Sequence, residues 1–298
     1  MRVLVTGGAG QVGLELARQA WPTGAEIRFP TRAELDLASP DAIAAYFCGE
    51  RWDCVINCAA WTAVDAAEDH VADAFLANAQ GPAWLAEAAA RSGTPIIHVS
   101  TDYVFDGSAD RPYREDDPVG PVGAYGASKL AGELAVRAAN PRAVVLRTAW
   151  VLSAHRANFL KTMLRLGAER DRLTVVGDQV GCPTTAADIA FALRMIAVRL
   201  IEDAQAPVGI YHFVGAGQAS WCELAQAIFD LAAPLGGPSP VVAAITSAEF
   251  PTRARRPVNS RLDTSKIARD FGIVPPLWQS GVKDIIAELL SAPIDGKV

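Results

Sequence analysis

The sequence has little of what would point to a membrane, secreted or metal-binding protein. Its five cysteines form no C-x-x-C pair and show no spacing typical of metal ligands, so we expect reduced thiols in the cytoplasm. The N-terminus enters a strand directly, without the apolar segment of a signal peptide. No apolar run approaches the roughly 18–20 residues that a membrane span needs, so no membrane partner is expected.

Basic charge and histidine are also scarce. The 27 Lys and Arg residues are outnumbered by 33 Asp and Glu residues, and the net charge of −6 argues against a nucleic-acid partner. None of the four histidines lies in the context of a nucleophile elbow, so a Ser-His-Asp hydrolase is a poor interpretation. The hydrophobic content of 51% and charged content of 20% are typical of a compact folded chain.

What the sequence does contain begins with a glycine-rich turn. A β-rich run at 2–6 is followed by Gly7, Gly10 and Gly13, and then by an apolar pattern of helical period. Strand, glycine turn and helix are the context that a dinucleotide fingerprint requires. The glycines let the backbone approach a pyrophosphate, and the helix start offers free N–H groups. A tight turn without a ligand is the alternative.

Strands and helices then alternate through the first half of the chain. This order predicts an α/β fold, a Rossmann-like doubly wound parallel sheet with right-handed crossovers. We assign residues 1–150 to a dinucleotide-binding domain and 151–298 mainly to a smaller mixed α/β substrate-binding region, with a strand at about 209–215 returning to the first sheet. Strands are predicted at 25–29, 53–58, 96–100 and 143–147, and later helices at about 156–168, 184–203, 220–233 and 279–291.

The carboxyl ends of the predicted strands carry candidate binding residues, because open α/β sheets bind ligands at that edge. Small residues, Ala59 and Ala60, follow the third strand, where a cofactor can lie against the backbone. Thr101 ends the fourth strand, in a position to hydrogen-bond a substrate oxygen. After the second strand, Arg32 stands where a site selective for NAD usually has an acid. It favours NADPH over NADH, and a solvated arginine is the alternative.

Tyr125 and Lys129 form the strongest catalytic candidate. Four residues apart on a predicted helix, they share one face. A phenol normally titrates near pH ~10, and a neighbouring ammonium lowers that pKa, so the pair suits proton transfer. Two unrelated surface residues are the alternative.

With these residues noted, the chain resembles the extended short-chain dehydrogenase/reductase family, nearly end to end. Within that family it is similar to reductases that act on dTDP-linked 4-keto-6-deoxy sugars. The resemblance rests on these stretches: G-A-G-Q-V-G at 8–13, I-N-C-A-A-W-T-A-V-D-A-A-E at 56–68, S-T-D-Y-V-F-D-G at 100–107, Y-G-A-S-K at 125–129, R-T-A-W at 147–150, N-F at 158–159, G-D-Q-V-G-C-P-T at 177–184 and R-P-V-N-S-R-L at 256–262.

The resemblance implies roles for particular residues. Hydride goes from the reduced nicotinamide to the C4 ketone of the sugar, Tyr125 protonates the oxygen, Thr101 hydrogen-bonds it, and Lys129 lowers the pKa of Tyr125 and holds the nicotinamide ribose. Implied cofactor contacts are Gly10, Gln11 and Val12 at the pyrophosphate, Asp36 and Leu37 near the adenine, and Ala60, Trp61, Thr62 and Val99 along the rest. Implied substrate contacts are Thr101, Asp102 and Trp150 at the sugar, and Arg256, Asn259 and Ser260 at the nucleotide diphosphate.

Some relatives dimerise through a divalent metal held by acidic residues. Glu15 matches one such acid, but Thr185, Ala186 and Ala187 stand where another is expected, before Asp188. Because a lone carboxylate is a poor Mg²⁺ site, we predict no required metal and leave a homodimer open.

Other functions on the same fold stay open at this point. A 4,6-dehydratase would need an acid after the threonine-aspartate pair, where this chain has Tyr103. Another nucleotide-sugar 4-ketoreductase, an epimerase that keeps its NAD, and a non-catalytic regulatory subunit are the remaining alternatives.

Overall fold

The computed structural model describes residues 1–291. Its strands are β1 (Arg2–Thr6), β2 (Glu26–Arg28), β3 (Cys54–Asn57), β4 (Ile96–Thr101), β5 (Ala143–Thr148), β6 (Val151–Leu152), β7 (Arg172–Val176), β8 (Val180–Gly181), β9 (Thr184–Thr185), β10 (Gly209–His212), β11 (Ala219–Ser220), β12 (Val241–Ile245) and β13 (Asn259–Ser260). Its helices are α1 (Gln11–Arg18), α2 (Pro40–Phe47), α3 (Val64–Ala67), α4 (Val71–Phe75), α5 (Gly81–Arg91), α6 (Ala124–Ala139), α7 (Phe159–Glu169), α8 (Ala186–Glu202), α9 (Trp221–Ala232), α10 (Ser265–Phe271) and α11 (Trp278–Ser291).

The largest sheet has six parallel strands in the order β10-β5-β4-β3-β1-β2. This arrangement confirms the predicted Rossmann-like fold class. The chain leaves β1 towards β2 on one side and continues with β3 on the other, so the strand order reverses between β1 and β3. Open α/β sheets bind ligands beyond the carboxyl ends of the strands at such a reversal. The glycine turn and the segment at 58–62 both start there.

The two faces of this sheet are covered by different helices, which is why β3 and β5 are buried along their whole length. On one face, Leu16 of α1 packs in a cluster with Ile189 and Leu193 of α8. On the other, Ile43 of α2 packs with Leu85 of α5. Burial of one such side chain contributes roughly 1.5–3 kcal/mol. Helix α8 lies beyond residue 150 in sequence, yet it covers the first sheet, and β10 completes that sheet's edge beside β5.

The rest of the second half packs around another apolar core, to which α7, α9 and α11 contribute Leu160, Ile228 and Val282, and which also includes Phe105 and Tyr113 of the first half. Helix α9 starts with a capping box in which Ser220 and Glu223 exchange hydrogen bonds with each other's backbone. Three small sheets lie around this core: β11-β8-β13, β12-β7 and β6-β9. None of the helices within residues 1–291 combines the length and apolar character needed to cross a bilayer.

Candidate active site

A cavity of about 600 Å³ opens at the reversal point of the large sheet. We call it the first cavity. Parallel strands end on one edge, so residues that are far apart in sequence meet there. The predicted residues that line it are Gly7, Gly10, Gln11, Val12, Gly13, Ala59, Ala60, Thr62, Val99, Thr101, Asp102, Tyr125, Lys129 and Trp150.

The glycine turn makes room by the absence of side chains. Gly7 has φ +74°, and a Cβ atom there would come within 2.5 Å of the Ala59 backbone nitrogen. A Cβ atom on Gly13 would come within 2.4 Å of the Gly7 carbonyl oxygen. Gly10, which precedes α1, has no side chain to cap the helix. The start of α1 therefore offers backbone N–H groups to an anion.

Residues of the second half close over this turn. Arg156 donates from Nε to the carbonyl oxygen of Ala9 at 2.7 Å, and it lines the first cavity. The amide oxygen of Gln11 accepts hydrogen bonds from Ser153 and Asn158, both at 3.0 Å. Arg156 thus brings a positive charge to the turn where a pyrophosphate would lie.

The segment after β3 is fixed by buried amides. Asn57 accepts from Thr6 Oγ1 at 2.6 Å and from the Ala59 backbone N–H at 3.1 Å. Asn78 accepts from the Trp61 backbone N–H at 2.8 Å and donates to the Trp61 carbonyl oxygen at 3.1 Å. Asn78 lies in a π-helical turn, Leu76–Gln80, which displaces it from the regular helical path. Trp61 is held beside the first cavity, outside its lining.

Tyr125 and Lys129 both face the first cavity from α6, one turn apart. Burial raises the pKa of Tyr125 to about 12, and the hydrogen bond with Thr101 opposes that shift. Burial lowers the pKa of Lys129 to about 8, and its Nζ donates to the Val99 carbonyl oxygen at 2.7 Å. The expected lowering of the Tyr125 pKa by Lys129 is therefore not observed: burial raises this pKa, the negative charge of Asp102 adds to the rise, and only the Thr101 hydroxyl opposes it.

Close packing brings α6 against the end of β4. A Cβ atom on Gly126 would lie 2.1 Å from the carbonyl oxygen of Tyr103, so only glycine permits this approach. The Tyr103 ring meets the Tyr125 ring edge-on, with centroids 5.6 Å apart. Tyr125 and Thr101 both line the first cavity, and the Thr101 hydroxyl lies near enough to the phenol to lower its pKa.

Asp102 is the one carboxyl group in the lining of the first cavity. Its Oδ1 accepts from Thr101 Oγ1 at 3.0 Å, and the Ser260 side chain lies near enough to the same carboxyl group to lower its pKa. Its Oδ2 is buried without a hydrogen-bond partner among the described residues. Burial raises the pKa of Asp102 to about 6, and the nearby hydroxyls of Ser260 and Thr101 oppose that rise.

Trp150 forms the far wall. Its ring stacks on that of Trp221 at 3.5 Å, with 8° between the planes. Gly181 lies behind it, and a Cβ atom there would come within 2.5 Å of the Trp150 ring. Trp150 has φ +47° and Arg156 has φ +54°, the two positive values among non-glycine residues 1–291. Strained backbone of this kind is concentrated at functional sites.

A second cavity of about 940 Å³ lies on the other side of Trp221, which lines both. Helix α7, strand β7 and the loop at 246–256 form it. Its lining combines aromatic rings with several cations: Phe159, Trp221, Phe250, Arg170, Arg172, Arg255 and Arg256.

Comparisons with known proteins decide the family. The family described as "RmlD substrate binding domain" matches residues 1–291. A dTDP-4-dehydrorhamnose reductase from Sinorhizobium fredii is 45% identical over 298 residues, which are 100% of this chain and 99% of that protein. One from Escherichia coli K12 is 39% identical over 98% of this chain and 99% of its own length. This chain belongs to the dTDP-4-dehydrorhamnose reductase family.

Solved structures agree with that assignment. A dTDP-4-dehydrorhamnose reductase from Clostridium acetobutylicum has a TM-score of 0.91, with 37% identity over 97% of this chain and 99% of that one. The enzyme of this family from Bacillus anthracis, solved in complex with NADP, has a TM-score of 0.89, with 33% identity over 96% and 99%. The resemblance to the extended short-chain dehydrogenase/reductase family is confirmed.

Several residues predicted as family contacts lie outside the first cavity. Arg32 has an 84% exposed side chain and pairs with Asp36 at 3.5 Å. Leu37 packs against the start of α5, where its carbonyl oxygen lies 2.6 Å from the position that a Cβ atom on Gly81 would take. The amide of Asn259 does not reach the cavity, because it donates to the carbonyl oxygens of Ala109 and Arg111, both at 2.8 Å.

Two further predicted residues also lie outside the lining of the first cavity. Ser260 lies near the Asp102 carboxyl group, whose pKa it lowers, and lines neither the first nor the second cavity. Arg256 lines the second cavity, where it binds Asp65 at 2.7 Å. Members of the site that the sequence did not reveal are Asn78, Arg156 and Trp221. The one available signal was Asn78, an amide within an alanine-rich helical stretch that also contains Gln80.

Proposed function

We propose that the first cavity is where this chain reduces the C4 ketone of dTDP-4-dehydrorhamnose with NADPH, giving dTDP-L-rhamnose. The observation that carries this assignment is one juxtaposition. Thr101, Tyr125 and Lys129 share a cavity with the glycine turn that follows β1. Family membership supplies the substrate and the cofactor, and these residues supply the chemistry.

The residues around the glycine turn fit a dinucleotide. Gly7 and Gly13 leave backbone room, the start of α1 presents N–H groups, and Arg156 adds a charge. When it is bound, NADPH supplies the hydride. Ala59, Ala60, Thr62 and Val99 would lie along it. Arg32, exposed after β2, would meet the 2′-phosphate with Asp36 and Leu37 beside the adenine, which is our reason for preferring NADPH over NADH.

Tyr125 would donate the proton. Since its pKa is raised to about 12, the phenol is protonated at neutral pH and ready to act as an acid. As the C4 oxygen gains negative charge, the O–H bond of Tyr125 breaks and the proton moves to that oxygen. The phenolate that remains would be stabilised by the Thr101 hydroxyl, once that hydroxyl turns from Asp102 to donate to it, and by the ammonium of Lys129, one turn away; it would regain a proton from solvent.

The sugar and the nucleotide would occupy different parts of the site. Asp102 lines the first cavity and has a buried Oδ2 without a hydrogen-bond partner among the described residues, which suits a sugar hydroxyl. Trp150 would give the sugar an apolar wall, and Ser260 would orient Asp102. In the second cavity, the aromatic rings suit the thymine and Arg256 suits the diphosphate. Asn259 would hold the backbone from which Ser260 projects.

Oligomeric state and metal dependence are separate proposals. Glu15, matched by resemblance to a metal ligand, lies 3.4 Å from Arg18 and 3.2 Å from His155. These contacts support a site that needs no metal. Phe191 and Met195 lie one turn apart on the outer surface of α8 and are partly exposed, which supports a homodimer. Sedimentation velocity with and without EDTA tests both: loss of a dimer on chelation contradicts the first proposal, and a monomer throughout contradicts the second. The five free cysteines support the cytoplasm as the compartment.

A turnover assay tests the function. We expect NADPH oxidation that requires dTDP-4-dehydrorhamnose, with a kcat in Tyr125→Phe lower by about 10²–10⁴-fold and NADPH affinity retained. An epimerase would give no net oxidation of NADPH, and a regulatory subunit would give no turnover. Full activity in Tyr125→Phe would remove the phenol from its assigned role.

A further inference from the structure

The helix that carries Tyr125 starts without a side-chain cap of its own. Its N-cap residue is Gly123, which has extended backbone angles but no atoms beyond Cα to accept a hydrogen bond. The first N–H groups of a helix have no partner within the helix, so they need one from elsewhere. Here the N–H of Ala124 donates to Oε1 of Glu68 at 2.8 Å.

Glu68 occupies the space that a capping side chain at residue 123 would fill. A Cβ atom on Gly123 would lie 2.6 Å from Oε1 of Glu68. The carboxylate is thus a cap supplied from outside the helix, at the end where the helix dipole favours a negative charge. Glycine at position 123 is what lets this carboxylate approach.

Glu68 belongs to a short acidic turn that follows the segment at 58–62, which lines the first cavity. In the same turn, Asp65 binds Arg256 at 2.7 Å and accepts from the Ala254 backbone N–H at 3.0 Å. Asp69 pairs with Arg253. One turn of chain therefore holds the start of α6, the cavity-lining segment and the loop at the second cavity in a fixed relation.

The start of α6 tolerates little displacement. Gly126 packs so closely against Tyr103 that no side-chain atom would fit between them. Tyr125 lies between this contact and the N–H that Glu68 holds. A small rotation of the first turn would move the phenol away from Thr101, and misplacement by about 1 Å can cost ~10²-fold in rate.

We infer that Glu68 is a positioning residue for the proton donor: by capping α6 in place of Gly123, it sets where the hydroxyl of Tyr125 lies relative to Thr101. The inference rests on the proposed role of Tyr125. It extends that role to a residue outside the first cavity, and it explains the acid at the end of the 56–68 stretch, which otherwise has no function.

Removal and restoration of the cap test the inference. In Glu68→Ala we expect kcat to fall about tenfold, the solvent isotope effect on kcat to rise and the Kd for NADPH to stay within about twofold. In Glu68→Gln, which keeps an oxygen acceptor, the loss is smaller. Introducing Gly123→Ser into Glu68→Ala supplies a cap from within the helix, in the space that the glutamate has vacated, and kcat recovers. In the wild type, Gly123→Ser lowers kcat because it displaces the carboxylate.

Glu87→Ala, an exposed glutamate on α5, is the matched control and leaves kcat unchanged. A kcat in Glu68→Ala within twofold of the wild type, measured well below the unfolding temperature, overturns the inference. So does a double variant no faster than Glu68→Ala. If Glu68→Ala does not fold, Glu68→Gln and Gly123→Ser decide by their kcat values. In each of these cases an inactive Tyr125→Phe leaves the proposed function intact, whereas an active Tyr125→Phe removes that function instead.

Discussion

The two cavities meet at Trp221 but are built in different ways. The first is made by backbone: strand ends, a glycine turn and a helix start, with glycines where the chain segments touch. The second is made by side chains, in which arginines and aromatic rings from α7, β7 and the loop at 246–256 surround the space. A cavity lined by backbone is disrupted when a side-chain atom is added to one of its glycines. A cavity lined by side chains is disrupted when side-chain atoms are removed.

The largest effect should come from adding one carbon to the first cavity's backbone wall. In Gly7→Ala, the new Cβ collides with the backbone of Ala59 at 2.5 Å, and φ +74° strains the residue besides. We expect about 3 kcal/mol or more of lost stability and a Kd for NADPH raised by more than about 100-fold. Chemical denaturation and a fluorescence titration measure the two effects.

Gly24→Ala is the matched control for that change. Gly24 has φ +79° as well, but no atom lies within 4 Å of where its Cβ would be. Strain alone then costs about 1–2 kcal/mol, and the Kd for NADPH stays at the wild-type value. Equal losses of affinity in the two variants would mean that contact between the glycine turn and the segment after β3 does not shape the cavity.

The next effect concerns the loss of stability that comes from burying the Asp102 carboxyl group at the first cavity. Burial raises the pKa of Asp102 to about 6, above the usual value of 3.8. A carboxyl group with a raised pKa stabilises the fold fully below its unfolded pKa and loses that contribution as the pH rises through about 6. Asp102→Asn does not titrate, so its stability relative to the wild type should grow by about 1–2 kcal/mol between pH 5 and pH 8.

Urea denaturation at the two pH values measures the difference, with the exposed Asp110→Asn as control. A gap that is constant with pH would show that Asp102 titrates normally. Activity should fall in Asp102→Asn even as stability rises at pH 8, since the buried carboxylate that costs stability is the one offered to the sugar.

The contrast between the cavities also explains what the sequence could predict. The glycine turn, the ends of β3 and β4 and the pair Tyr125 and Lys129 are local patterns, and a parallel sheet necessarily brings strand ends together. Arg156 and Trp221 reach the site through tertiary packing from the second half, and nothing in their neighbouring residues indicates it. Spacing placed Lys129 near Tyr125 but could not show that burial would dominate the pKa of the phenol.

Asn259 shows what a resemblance alone leaves open. Its position in a stretch shared with relatives suggested a substrate contact, yet both hydrogens of its amide are used by the backbone at 109 and 111. The direction of a side chain on a two-residue strand such as β13 depends on the strand with which it pairs. For β13 that strand is β8, more than 70 residues away along the chain.

The smallest effect should come from the shared wall. Trp221→Ala removes the ring stacked on Trp150 at 3.5 Å and opens the second cavity to the first. Because stacking contributes about 0.5–1.5 kcal/mol beyond area burial, we expect the KM for the nucleotide sugar to rise about tenfold. The Kd for NADPH should stay within twofold, since the glycine turn and the segment after β3 are intact.

Trp221→Phe keeps an aromatic face and should recover most of the loss, although it cannot donate to Gln179 as the indole does at 3.2 Å. If Trp221→Ala weakened NADPH and the sugar nucleotide equally, the two cavities would be one binding site, and the distinction between a backbone-built half and a side-chain-built half would have no functional meaning.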